Sequence, residues 1–186
     1  MPRRSRNDRT ITRSFRISER ALKALEDEAN RQNLSVSTIL NQQLLAYAEF
    51  ERFIRRLGLI KISATTFERL LRAGTEKEIA RAGTEAGADT PRSMILAMHG
   101  AMNLDTALEF LGLMSEYAGQ YEFGEADTDG KRIITLIHRL GPNGSVFYAN
   151  YMRALFEGVG LSPKISSTEH SVTIEVVTQR EQAATF

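Results

Sequence analysis

The chain has 186 residues, no cysteine and a formal net charge of +1, with 42% hydrophobic and 25% charged residues. This composition is typical of a folded protein, and the length allows one ordinary domain and a smaller one. The lack of cysteine excludes disulfides and thiolate metal sites, and no apolar run is long enough for a membrane span or a signal peptide. We therefore expect a cytoplasmic protein.

Positive charge is concentrated at the N-terminus. The first 16 residues contain six arginines against the single acidic residue Asp8, whereas the remainder of the chain is net negative. These arginines are Arg3, Arg4, Arg6, Arg9, Arg13 and Arg16. A basic segment on an acidic body indicates a polyanionic partner for that segment, although a solvated tail would have the same composition.

Residues 9–18, RTITRSFRIS, predict a β-strand with two different faces. Side chains alternate between the faces of a strand. One face is largely apolar and carries Ile11, Arg13, Phe15 and Ile17. The other is entirely polar and carries Thr10, Thr12, Ser14 and Arg16.

Two helices are predicted after this strand. Ser18 is the expected N-cap of the first, ERALKALEDEANRQN, and Ser35 that of the second, SVSTILNQQLLAYAEFERFIRRLG, which ends at Gly58. A single strand has no pairing partner, and so small a unit buries little core by itself. We therefore predict an obligate homodimer in which two strands pair antiparallel under four helices.

The order of strand, helix, turn and helix over residues 9 to about 53, with NLSVSTIL opening the second helix, resembles the ribbon-helix-helix repressors related to Arc and MetJ. The resemblance implies a prokaryotic, nucleoid-associated protein whose paired ribbon enters the major groove of double-stranded DNA. Its base-contacting positions fall on Thr12, Ser14 and Arg16. Arg16 is suited to a bidentate contact with guanine.

The family also places a DNA phosphate at the N-terminus of its second helix. Here this implies contacts from the N–H groups of Val36 and Ser37 and from the hydroxyls of Ser35 and Ser37. The N-terminal arginines Arg3, Arg4, Arg6 and Arg9 would add phosphate contacts that are independent of sequence. Arg13 departs from the pattern: either its stem lies along the core edge with the guanidinium in water, or the strand frays there.

The remaining chain predicts an α+β domain over residues 58–180, between the DNA-binding domain at 9–57 and a tail at 181–186; residues 1–8 form a basic arm. Four short helices come first. They are TFERLLRAG, KEIARAGTEAG after a Thr75/Glu78 capping box, PRSMILAMHG from Pro91, and LDTALEFLGLMSEYAG after Asn103. A ββαββ pattern follows, in which two hairpins flank the helix VFYANYMRALFEGVG, with Ser145 as its expected N-cap.

No catalytic, metal or cofactor site is predicted in this domain. His99, His138 and His170 are far apart in the sequence, and the loop with Asp127, Asp129 and Gly130 lacks the final acidic residue of a calcium loop. The aromatic group of Phe147, Tyr148, Tyr151 and Phe156 is expected in the core. Met94, Met98, Met102 and Met114 fit either a core or an adaptable pocket for a small-molecule effector.

The sequence thus favours a sequence-specific DNA-binding transcriptional regulator, not an enzyme, whose C-terminal domain oligomerises or senses a signal. Nickel-responsive repressors share this plan, but no cysteine or matching histidine spacing supports nickel here. Two alternatives stay open. One is an antitoxin-type protein whose C-terminal part binds a partner protein, and the other is an architectural protein that binds DNA without sequence preference.

Overall fold

In a computed structural model, which describes residues 11–128 and 130–177, the chain is a mixture of helices and one antiparallel sheet, which confirms the α+β class. It divides into two compact units, Met1–Arg52 and Phe53–Phe186, called here the N-terminal and C-terminal units. The predicted boundary was five residues later, after residue 57. No helix among the described residues is long and apolar enough to span a bilayer.

The N-terminal unit contains the two predicted helices, α1 (Glu19–Gln32) and α2 (Val36–Ala46), which pack on one another. The predicted caps are confirmed: Ser18 Oγ accepts from the N–H of Ala21 at 3.3 Å, and Ser35 Oγ from that of Thr38 at 3.1 Å. The predicted second helix is longer than α2. It includes the π-helical turn Tyr47–Glu51 and α3 (Arg52–Arg56), which continue the helical run after α2. Gly58, with φ of +66°, follows the end of this run.

Helices of the C-terminal unit pack around a central pair. These helices are α4 (Ala64–Arg72), α5 (Glu76–His99), α6 (Leu104–Leu113), which continues into a π-helical turn (Met114–Ala118), and α7 (Gly141–Gly158). The most extensive contact joins α5 to α7. The predicted capping box at Thr75 and Glu78 is confirmed, and so is the Asn103 cap of α6.

One correction concerns α5, which the sequence divided into two helices at Pro91. The structure has one continuous helix, with Pro91 buried in its interior. Proline removes a hydrogen bond to the residue four positions earlier, here Gly87. Gly83 and Gly87 lie directly against the backbone of α7, so close packing stabilises the helix across this local break.

A second correction concerns the start of α7, which the sequence placed after Ser145. The helix begins at Gly141, with Pro142 in its first turn, where a missing N–H costs nothing. Ser145 lies inside the helix, where its hydroxyl contacts His138 instead of a helix N–H. No side chain caps this N-terminus, and its N-cap residue is Leu140.

The sheet has four antiparallel strands in the order β1-β2-β4-β3. They are β1 (Glu122–Thr128), β2 (Lys131–Ile137), β3 (Lys164–Ser167) and β4 (Ser171–Val177). Both predicted hairpins are therefore confirmed. The register places Ile134 opposite Ile174 and Leu136 opposite Val172. These side chains are fully buried, and α7 contacts the sheet through β3 and β4.

Candidate nucleic-acid interface

The described part of the segment that precedes α1, residues 11–18, is exposed. Residues 11–18 form no hydrogen-bonded strand within this chain, and every one of their side chains is open to solvent. The three predicted base-contacting residues, Thr12, Ser14 and Arg16, are therefore all accessible. A paired ribbon requires a second chain, so the strand itself stays a prediction.

Large apolar side chains alternate with these polar ones. Ile11 is 67% exposed, Phe15 60% and Ile17 40%. Isolated exposed hydrophobic residues are common on proteins, but a cluster marks a surface that meets another molecule. Three at alternate positions of a seven-residue segment form such a cluster.

The helices of the N-terminal unit also expose apolar side chains. Leu22, Leu34, Leu44 and Tyr47 are exposed, the last two by more than half. Among its described residues, the buried hydrophobic side chains are Ala29, Ile39 and Phe50. Since folding of a small unit depends on apolar burial, so small a core needs a further surface to cover it.

The N-terminus of α2 is suited to an anion. The first N–H groups of a helix lack intrahelical acceptors and form the positive end of its dipole. Ser35 Oγ accepts from the N–H of Thr38 and lies 2.8 Å from Thr38 Oγ1. The N–H groups of Val36 and Ser37, which are predicted to contact a phosphate, come before Thr38 in the same turn. Ser35 and Ser37 are exposed, and the first turn holds no acidic residue.

A tight turn fixes this helix start relative to α1. Asn33 adopts a left-handed conformation with φ of 55°, which asparagine tolerates better than most residues. The N–H of Leu34 then donates to the carbonyl of Ala29 at 2.9 Å, which closes the end of α1. Two residues later, α2 begins.

The remaining predicted phosphate contacts, Arg3, Arg4, Arg6 and Arg9, lie outside the described residues. Of the arginines in the basic segment, Arg13 and Arg16 are described, and both are exposed. Residues 11–18 form no strand in this chain, so the placement of Arg13 on one face with Ile11, Phe15 and Ile17 stays a prediction.

Sequence reasoning missed one polar pair, in the C-terminal unit. His138 and Ser145 are both buried, and Ser145 Oγ lies 3.0 Å from His138 Nε2. A serine beside a histidine can be a nucleophile with its base. Here the N–H of Leu140 donates to His138 Nδ1 at 3.3 Å, so the proton of the neutral ring lies on Nε2 and is donated to Ser145.

This geometry makes the pair a structural link between the end of β2 and α7. In this tautomer the ring cannot accept the Ser145 proton, because both of its nitrogens are already engaged. Burial lowers the pKa of His138, and the charge of His170 lowers it further. Gly144 allows the close approach, since a Cβ there would meet the imidazole at about 3.1 Å. The spacing of seven residues gave no sequence signal for this contact.

The other candidate residues of the C-terminal unit are mostly in the core. Met94 and Met114 are buried and Met98 and Met102 partly so. Tyr148, Tyr151 and Phe156 are buried, as predicted, and Phe147 makes an edge-to-face contact with Phe67 at 5.3 Å. Met94 borders a recess of about 140 Å³, which is smaller than a typical ligand pocket.

Within residues 11–128 and 130–177, no group of three or more histidine, aspartate or glutamate side chains is arranged to hold a metal ion. Comparison with models of protein families and with curated protein sequences finds no match to this chain.

Proposed function

We propose that the protein is a dimeric, sequence-specific double-stranded DNA-binding regulator of transcription, with its N-terminal unit as a ribbon-helix-helix module. In this proposal two copies pair their N-terminal segments into a ribbon. Thr12, Ser14 and Arg16 of each copy contact base edges in the major groove, and the first turn of α2 holds a phosphate.

The observation that carries the proposal is the exposed, alternating segment directly before two capped helices. Its polar residues are exposed, and its apolar residues have no cover in one chain. A second copy would cover the apolar side and leave the polar side free. The concentration of arginines supplies attraction to phosphates.

The C-terminal unit is proposed to oligomerise or to sense a signal. Its own buried core, built from α5, α7 and the sheet, supports this role over that of an antitoxin, whose neutralising segment is usually short and disordered when free. The recess beside Met94 is smaller than a typical pocket for a small-molecule effector.

Selection of bound duplexes from random DNA tests the proposal. We expect a consensus with two-fold symmetry, because a symmetric dimer binds two equivalent half-sites. An architectural protein would give no consensus, and an antitoxin-type interaction protein that does not need DNA would enrich nothing. Either result would remove the regulator proposal.

The selected duplex then allows a test of Arg16 with a matched arginine. Arg16→Ala should lower affinity for the selected duplex by roughly ten-fold or more, since a bidentate guanine contact discriminates by about 1–3 kcal/mol, and should change affinity for a scrambled duplex less. Arg20→Ala, which removes the same charge from exposed α1, should affect both duplexes equally. Equal losses for Arg16→Ala would make Arg16 a phosphate contact.

A further inference from the structure

The sheet of the C-terminal unit is buried on one face and open on the other. Directly opposite residues of antiparallel strands share a face, so the register divides the side chains into two sets. The inner set includes Ile134, Leu136 and Ile174, which are fully buried. The other set, called here the outer face, comprises the even-numbered residues of β1 and β3 and the odd-numbered residues of β2 and β4. All of its residues are at least partly exposed.

We infer that the outer face packs against the outer face of a second copy, so that the C-terminal units of one dimer form a sandwich of two sheets. This inference rests on the oligomerising role that the proposed function gives to the C-terminal unit, and it names the surface involved. Two sheets packed in this way lie about 10 Å apart, with their side chains interdigitated.

The outer face is more apolar than the solvated face of an ordinary antiparallel sheet. A strand with one solvated face alternates apolar and polar residues. On its outer side β2 instead carries Ile133 and Ile137, and the last residue of β4 on this face is Val177. Ile137 is 50% exposed and Val177 46%. This pattern indicates strands that are covered on both faces.

The shape of the outer face is complementary to itself. On β1, the residues opposite Ile133 and Thr135 are Ala126 and Gly124, whose side chains are small or absent. The outer side chains of β2 therefore form a ridge beside a shallow groove over β1. Across a two-fold axis the same patch meets itself, so the ridge of each copy fits into the groove of the other.

The charges of the outer face also favour a second copy. Two acidic and two basic residues lie on it and leave it without net charge; they are Glu122, Lys131, Lys164 and Glu175. Lys131 Nζ lies 2.9 Å from Glu175 Oε1, and Lys164 is directly opposite Glu175 in the register. A neutral face with internally paired charges does not repel its own copy and offers no attraction to a polyanion such as DNA.

The size of the outer face places the contact within one dimer. Four strands about 4.8 Å apart, with up to seven residues of roughly 3.4 Å each, give a footprint of at most about 450 Å². Stable complexes of free partners bury about 800 Å² on each side. Two C-terminal units joined to the same N-terminal dimer have a roughly millimolar effective concentration, so a smaller contact suffices.

The lack of native cysteine allows a test by cross-linking in the full chain. Thr135→Cys places a thiol near the middle of the outer face, between Gly124 and Thr173. Thr84→Cys is the matched control, because Thr84 is exposed on α5 in the same unit. Each variant would be treated, without DNA, with a bismaleimide that spans about 10 Å, the spacing of packed sheets. The protein concentration would be one at which sedimentation shows a dimer.

We expect covalent dimers to form at least ten-fold faster from Thr135→Cys than from Thr84→Cys, because only residue 135 meets its counterpart in the contact. Similar rates for the two variants would overturn the inference. Cross-linking that occurs only when sedimentation shows tetramers would also overturn it, since the contact is placed within one dimer.

A charged substitution tests the same face by a second route. Ile137→Lys adds a cation to the outer face, where the opposite residue, Glu122, stabilises it in a single chain. Packing against a second copy would remove this cation from water. Thr135→Cys/Ile137→Lys should therefore cross-link at least ten-fold more slowly than Thr135→Cys.

Leu70→Lys is the control for this substitution, since Leu70 is a 62% exposed side chain of α4 in the same unit. Combined with Thr135→Cys, it should leave the cross-linking rate unchanged. A rate that Ile137→Lys does not lower would contradict the inference. If circular dichroism shows that Ile137→Lys does not fold, the rates of Thr135→Cys and Thr84→Cys decide.

The outcomes separate this inference from the proposed function. If duplex selection gives a two-fold consensus and residue 135 does not cross-link, the regulator proposal stands and the outer-face contact is overturned. Fast cross-linking without a consensus would support the outer-face contact and remove the DNA-binding role. A monomer by sedimentation would overturn both.

Discussion

The two units of this chain reach stability in different ways. The C-terminal unit buries the contact between α5 and α7 and one face of a four-stranded sheet, and its largest apolar side chains are inaccessible to solvent. The N-terminal unit buries few side chains and leaves Ile11, Phe15, Leu44 and Tyr47 at least half exposed. Both contain helices with side-chain caps, so the main difference is in tertiary burial and not in local structure.

Local helix signals and tertiary burial are therefore separate requirements for a stable unit. Helix caps contribute about 1 kcal/mol each, whereas the net stability of a domain comes mainly from apolar surface removed from water. A unit with good caps and an exposed apolar face has favourable local structure but has not buried all of its apolar surface. We therefore expect the stability of the N-terminal unit to depend on protein concentration.

The largest effect on stability is expected from Gly87→Ala, which disturbs the packing of α5 on α7 in the C-terminal unit. A Cβ at this position would overlap the carbonyl of Tyr151 and lie 2.7 Å from its Cα, and backbone cannot move aside as a side chain can. We expect a loss of about 3 kcal/mol in the free energy of unfolding of this unit, at the upper end of overpacking costs. Denaturant titration followed by tyrosine fluorescence measures it.

Gly112→Ala is the matched control, since Gly112 lies in α6 and a Cβ there meets nothing within 4 Å. It should stabilise the unit by roughly 0.5–1 kcal/mol, because alanine is the better helix former. The concentration-dependent transition of the N-terminal unit should be unchanged in both variants. Equal tolerance of Gly87→Ala and Gly112→Ala would contradict the close approach of α5 and α7.

The close approach also explains where sequence reasoning succeeded and where it failed. Caps such as Ser35 and Thr75, and the alternation of Val172, Ile174 and Val176, depend on neighbours within a few residues and were predictable. The continuity of α5 through Pro91 was not, because it depends on a helix more than fifty residues away. A local rule for proline cannot include that packing.

At the candidate interface, too, features that depend on nearby residues were predictable, and features that depend on distant residues were not. Thr12, Ser14 and Arg16 are exposed, but so are Ile11, Phe15 and Ile17, so the predicted polar face stays a prediction from the alternation of side chains. The role of Ser145 was predicted wrongly as a cap, because its partner His138, which follows β2, meets it only after folding. Pairing of the ribbon depends on a second chain. The periodicity of one chain predicts only which residues lie on each face of the strand.

A smaller effect is expected from pH, and again in the C-terminal unit. The folded protein holds His138 neutral, with a pKa below its unfolded value of about 6.5, because the ring is buried and His170 is nearby. The unfolded chain then binds more protons below pH 6.5, so stability rises with pH in this window. The contribution is complete above about pH 6.5 and is lost as the pH falls through the lower folded pKa.

Urea titrations between pH 7.5 and 5 measure this slope, with His138→Gln as the comparison. The variant should lose the part of the slope that arises from residue 138, whatever its effect on stability at neutral pH. Ser145→Ala should retain the slope and cost about 1 kcal/mol, as expected for one buried hydrogen bond. A slope of the same size in His138→Gln would assign the acid sensitivity to other groups.

The smallest effect is expected from replacing two serine caps that have the same geometry but belong to different units. Ser35 and Ser63 each accept from the N–H of a threonine three residues later at 3.1 Å, and each lies 2.8 Å from that threonine's hydroxyl. Neither helix has an acidic residue in its first turn. Replacement by alanine should cost about 1 kcal/mol of helix stability at either site.

Only Ser35→Ala should also weaken DNA binding, by roughly five-fold if one hydrogen bond of about 1 kcal/mol to a phosphate is lost. The measurement is the dissociation constant for the selected duplex at fixed salt, with each variant kept at a concentration where it is fully dimeric. Because the two caps are equivalent locally, Ser63→Ala removes the same hydroxyl from a helix start that is not proposed to meet DNA. Equal affinities for the two variants would mean that the first turn of α2 makes no phosphate contact through its serine, and the module would then depend on its ribbon alone.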